Sequence, residues 1–110
     1  MALNADSTLH AILIAAPQQF NARAINALDR QIDEAIAQHI PSLDFDMLAV
    51  ESVDSAALNW LLDTQKRLTA SNISLRLINV NPLGQDILIS TRLDSRFTWN
   101  LSPVDGEPHG

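Results

Sequence analysis

The sequence predicts an α/β domain with a mostly parallel central sheet of about four strands and helices alternating along it. Three observations carry that expectation. Short apolar runs of strand length alternate with longer stretches whose apolar residues recur every three or four positions. Each connection between the strand-like runs is long enough to cross over and return parallel. The composition, 46% hydrophobic with 5% aromatic and 18% charged residues over 110 positions, is that of one globular domain with room for a core.

Residues 1–8 are polar and expected to be loose. Residues 9–16 form a short run, apolar at successive positions apart from His10 and stopped by Pro17, which predicts a strand buried on both faces. Asn21 is a candidate N-cap for a helix over 22–38. There Ile25, Leu28, Ile32, Ala35 and Ile36 form one face, and Arg30, Asp33 and Glu34 lie opposite. Pro41 ends that region. Leu43 and Phe45, extended by Met47 and Leu48, predict the second strand, with Asp44 and Asp46 as its polar partners.

Asp54 opens a second helix reaching about residue 70. Its apolar stripe is Ala57, Leu58, Leu61, Leu62 and Leu68, leaving Asn59, Asp63, Lys66 and Arg67 for solvent. Ser71 and Asn72 break it. Ile73, Leu75, Leu77, Ile78 and Val80 predict the third strand, with Arg76 and Asn79 interleaved. Asn81 and Pro82 have the pattern of an N-cap and first helical position. The short third helix that follows should turn Leu83, Ile87, Leu88 and Thr91 inward. Phe97, Trp99 and Leu101 alternate with polar residues, as a last short strand would. Residues 102–110 hold Pro103, Pro108 and two glycines and are expected to be a disordered tail. The expected organisation is a loose N-terminus over 1–8, one domain over 9–101 and the tail.

Several function classes lack their chemistry here. There is no cysteine, which removes disulfide scaffolds, thiol catalysis and thiolate-bound zinc. The longest apolar run, residues 11–16, is too short to span a membrane, and no basic segment precedes it. A cytoplasmic protein without membrane insertion is expected. The net charge is −6, and Lys66-Arg67 is the only adjacent basic pair, so nucleic acid and anionic membranes are poor partners. Gly84 is the only glycine outside the tail, and neither nucleotide-binding glycine pattern occurs. His10, His39 and His109 share no metal-ligand spacing, and a G-x-S-x-G elbow is missing. No catalytic residue, metal or cofactor is assigned. Asp44, Asp46, Glu51 and Asp54 read as a solvated acidic loop in preference to a Mg²⁺ site.

Functional loops of open α/β sheets sit at the carboxyl ends of strands, the position of residues 49–53. Asp54-Ser55 then enters the helix. Either side chain can accept from the free N–H groups of the first turn. The same place suits a phosphoserine, because the helix dipole favours added negative charge there. Trp60 falls off the Leu58–Leu61–Leu62 stripe and is expected at the surface beside Ser55, as a partner anchor. Phe97 and Trp99 are expected to close the core.

The stretch Asp46-Met47-Leu48-Ala49-Val50-Glu51-Ser52-Val53-Asp54-Ser55 resembles the STAS domain, the fold of anti-sigma-factor antagonists and of the cytoplasmic ends of sulfate transporters. It is similar to the family's run of Asp, Leu, a small pair, Val, two variable residues, an apolar residue and Asp-Ser. Phe20-Asn21-Ala22, Leu58, Leu61-Leu62, the third strand and the Asn81-Pro82 helix also fit, so the resemblance covers residues 9–99. It implies an interaction domain, not an enzyme. By the same resemblance Ser55 is the phosphoacceptor, and the partner is an anti-sigma factor that is itself an ATP-binding serine kinase. The partner-binding positions would be Asp46, Glu51, Ser52, Asp54, Ala56, Ala57, Asn59 and Trp60. Two departures stand out: Ala56-Ala57 replaces the family's usual Ser or Thr followed by Gly, and only one N-terminal strand is evident where the family has a hairpin. Alternatives left open are a STAS subunit of an ABC-type lipid transport complex, a scaffold that is never phosphorylated, and a small Mg²⁺-dependent enzyme using the acidic loop.

Overall fold

A computed structural model describes residues 12–101. Three Asx side chains start its helical segments, each by accepting a first-turn N–H in the manner that satisfies an orphan donor. Asn21 Oδ1 takes Arg23 N at 3.0 Å, Asp54 Oδ1 takes Ala57 N at 2.9 Å, and Asn81 Oδ1 takes Gly84 N at 2.9 Å. Asn21 opens a 3₁₀ turn, Ala22–Ala24, that continues as α1, Ile25–Ala37. Asp54 opens α2, Ser55–Ala70, and Asn81 opens α3, Pro82–Ser90. Asn72 and Arg92 end α2 and α3 in left-handed backbone, with φ of 61° and 64°. The next N–H groups, of Ile73 and Leu93, return to Leu68 and Leu88 carbonyls at 2.8 Å, so both ends close as Schellman motifs.

The strands are β1 Ile12–Ala15, β2 Gln19–Phe20, β3 Ser42–Asp46, β4 Ser52–Val53, β5 Ser74–Val80 and β6 Thr98–Leu101. The main sheet has the order β1-β3-β5-β6 and is parallel throughout. β2 and β4 form a separate two-residue parallel pair. Sheet neighbours succeed one another along the chain through helices, and parallel β–α–β crossovers are right-handed, so α1, α2 and α3 stack on one face.

Burial agrees with that layering. Ile14, Leu43, Phe45, Leu77 and Val80 are buried from the sheet, together with Leu28 and Ile32 of α1, Ala57, Leu61 and Leu68 of α2, and Leu88 of α3. On the opposite face the register lines up Leu13, Asp44, Arg76 and Thr98 in one row across all four strands. Asp44 accepts both Nε and an NH2 group of Arg76 at 3.0 Å. That hydrogen-bonded carboxylate raises the guanidinium's pKa above its ordinary value.

Four sequence expectations change. β1 is not buried on both faces: it is an edge strand of a sheet with helices on one side, and Leu13 is 59% exposed. Leu48 lies beyond the end of β3 and points outward. On α3, Leu88 is buried but Leu83 and Thr91 are exposed, because Gly84 takes the inward position of the first turn. The Thr91 hydroxyl donates back to Ile87 O at 2.6 Å. The expectations for residues 1–8, the first residues of β1 and the tail over 102–110 lie outside the described residues.

Candidate interaction site at the mouth of α2

β4 and the start of α2 are held against the segment that follows β1. Glu51 N and Ser52 N donate to Gln18 O at 2.8 and 3.1 Å, and Asp54 N donates to Phe20 O at 3.2 Å. The Ser52 hydroxyl donates to Gln19 Oε1 at 2.9 Å. Asp54 uses both carboxylate oxygens: while Oδ1 caps α2, Oδ2 accepts the N–H of Ala22 at 3.2 Å. One side chain therefore joins the starts of the 3₁₀ turn and α2. Two residues per strand is too short a pair for periodicity to reveal, so β2 and β4 leave no sequence signal.

The other side of the loop is clamped by Asn81. Its Nδ2 donates to Leu48 O at 3.0 Å and Val50 O at 2.9 Å, while Oδ1 caps α3. Asp46 Oδ1 accepts Leu48 N at 2.9 Å, making a local turn directly after β3. The α3 start packs tightly on this corner, since a Cβ at Gly84 would come within 2.9 Å of Val80 Cγ1 and 3.7 Å of Met47 Cε. Sequence reasoning identified Asn81 as a cap but missed its second function as a clamp. A cap position followed by Pro carries no signature for where the other amide atoms reach.

Ser55 is the first residue of α2 and is exposed. Asp54, not Ser55, caps the helix, and the Ser55 hydroxyl has no hydrogen-bond partner among the described residues. The N–H groups of Ser55 and Ala56 fall in the first turn, where no intrahelical acceptor exists. Glu51, Ser52, Asp54, Ser55 and Asn59 are exposed, and Asp46 and Ala56 are half-buried.

Two expected partner-binding positions are corrected. Ala57 is fully buried, and Trp60 is only 7% exposed. The inward stripe of α2 is Ala57, Trp60, Leu61, Thr64 and Leu68, a run at helical spacing that Thr64 interrupts with a hydroxyl and so disguises. Taking Leu58 and Leu62 as the centre of the stripe rotated the face and put Trp60 outside it. The Trp60 ring instead packs with Phe20 and Phe45 at centroid distances of 5.9 and 5.8 Å. Its indole N–H donates to Asp29 Oδ1 of α1 at 2.6 Å. Arg67 of α2 reaches the same Asp29 at 3.5 Å and also pairs with Asp33. Trp60 thus fastens α2 to α1 and to the phenylalanines behind the loop.

Among the described residues, no group of three or more His, Cys, Asp or Glu side chains is placed to hold a metal ion, and no helix is long and apolar enough to cross a membrane. Asp46 and Asp54 accept backbone N–H groups of the loop and of the helix starts.

A family model described as the STAS domain matches residues 2–105. Among solved structures, the chain is similar to an anti-sigma-factor antagonist (STAS) domain protein from Planctomyces limnophilus. The TM-score is 0.68 and the identity 19%, with 84% of each chain covered. A comparison with curated protein sequences finds no match.

Proposed function

The chain belongs to the STAS domain family, and from that premise we propose that it is a protein-interaction domain switched by phosphorylation of Ser55, acting as an antagonist of an anti-sigma factor. The single observation that supports this reading most is the division of labour at the mouth of α2. Asp54 supplies the cap, and the neighbouring Ser55 hydroxyl is exposed and unengaged among the described residues. A serine needed as a cap would have to break a structural bond to be modified. Ser55 has none to break among the described residues.

The partner is a serine kinase with an ATP-binding domain that also holds a sigma factor. It docks on the exposed Glu51, Ser52, Ser55 and Asn59 and the half-buried Asp46 and Ala56. Unmodified, this surface competes for the kinase and frees the sigma factor. Phosphorylation adds roughly 1.5 to 2 negative charges next to Asp54 and close in sequence to Glu51 and Asp46. A partner contact formed around a neutral hydroxyl then meets like charge and the cost of desolvating a phosphate, and the complex weakens. The domain performs no chemistry of its own, and the kinase brings the nucleotide.

Intact mass and peptide mapping of the protein from its native cells test the switch. A phosphate on Ser55, absent from Ser55→Ala, is the expected result. Unmodified Ser55 under every growth condition, with phosphate on another residue or none, overturns it.

A further inference from the structure

Five large apolar side chains are exposed among the described residues: Leu13, Leu48, Leu83, Ile89 and Leu101. Three of them gather at the carboxyl edge of the sheet. Leu48 follows the end of β3 and is 49% exposed. Its carbonyl is held by Asn81, and Leu83 stands two residues farther on in the first turn of α3. Leu101 ends β6 in register with Val80, the residue before Asn81. The bonds from Asn81 and the close approach at Gly84 fix the β3 and β5 ends of this crescent, so Leu48 and Leu83 are presented with little ordering left to do.

Along the part of this edge that carries the leucines the charge has one sign, with the basic Arg23 lying to its side on the 3₁₀ turn that Asp54 joins to α2. Asp46, Glu51, Asp54 and Asp86 lie on the segments that form it, and no Lys or Arg occurs in residues 46–56, 77–91 or 97–101. An apolar ridge bordered by carboxylates is complementary to an apolar cleft bordered by Lys and Arg. We infer that Leu48, Leu83 and Leu101 form a second docking ridge, running from the Ser55 loop across β5 to β6, for a protein partner with a basic-rimmed apolar cleft. The inference rests on the proposed function for its partner class but not on modification of Ser55. It assigns affinity to the leucines and leaves Ser55 as the regulator.

The test places a photo-crosslinking p-benzoyl-phenylalanine at position 48, 83 or 101 of the full chain in its native cells, with position 13 on the opposite sheet face as control. The crosslinked protein is then purified and titrated with wild-type chain, Leu48→Lys, Leu83→Lys, Leu13→Lys and Ser55→Glu. Expected are adducts with one protein from 48, 83 and 101 but not 13, through a peptide combining apolar residues with Lys or Arg. Leu48→Lys and Leu83→Lys, which sit at exposed positions, should each weaken binding at least about tenfold at unchanged melting temperature. Leu13→Lys should bind as wild type. Adducts only with a second copy or with residues 102–110 overturn the inference, as does unchanged affinity in both leucine variants. If Ser55→Glu weakens binding and the leucine variants do not, the ridge fails and the switch stands. If the leucine variants weaken binding and Ser55 is never phosphorylated, the ridge stands and the switch fails.

Discussion

Asp54 and Ala22, 32 residues apart in the chain, are joined by a 3.2 Å hydrogen bond from the Ala22 N–H to Asp54 Oδ2. The bond ties the entry to α1 to the entry to α2, and the same carboxylate caps α2 through Oδ1. Ser55 is therefore positioned by its neighbour while its own hydroxyl has no partner among the described residues.

Asp54→Ala removes both bonds and should cost about 2 kcal/mol, the sum of a lost cap and a lost charge-assisted bond. Asp54→Asn keeps an oxygen for Ala57 N and should cost less than half as much. Chemical denaturation of the two variants checks this. Equal losses would mean that the Ala22 bond, not the cap, carries the contribution.

Asn81→Asp keeps the acceptor that caps α3 but replaces the two N–H donors to Leu48 O and Val50 O with an oxygen. The expected outcome is a loosened β3–β4 loop beside an intact α3. Amide exchange should accelerate at Glu51 and Ser52, whose N–H groups bond to Gln18 O, and stay near wild type within α3. Uniform acceleration through α3 would show that the cap was lost too.

Trp60→Phe retains a ring against Phe20 and Phe45 but deletes the donor to Asp29. A loss of about 1–2 kcal/mol is expected for a half-buried bond to a carboxylate. A double-mutant cycle with Asp29→Ala isolates it. Coupling below about 0.3 kcal/mol would assign the whole effect of Trp60 to packing.

Thr64 is 2% exposed, and its hydroxyl has no hydrogen-bond partner among the described residues. Thr64→Val replaces that hydroxyl with a methyl of similar shape. It should raise stability by about 1 kcal/mol, since a buried polar group without a partner is costly. A lower melting temperature would indicate that the hydroxyl is bonded after all.

The sequence by itself determined the order of the four main-sheet strands and three helices, and the helix starts. Asn21, Asp54 and Asn81 announce themselves because capping is local: a short acceptor side chain two or three residues from the donor it satisfies. The parallel α/β class followed from apolar runs separated by crossover-length segments, and the family from the Asp46 to Ser55 stretch. Only the tertiary structure decided which faces were covered. A solid apolar run such as residues 12–16 looks the same whether helices cover both faces or one, and the order β1-β3-β5-β6 puts them all on one side. Trp60 turned inward because Phe20 and Phe45, distant in sequence, left a place for it and Asp29 satisfied its N–H. The segments carrying Leu48, Leu83 and Leu101 end at one edge of the sheet because the parallel register of β3, β5 and β6 brings them there. Local chemistry is written in neighbouring residues, whereas burial depends on what the rest of the chain brings alongside.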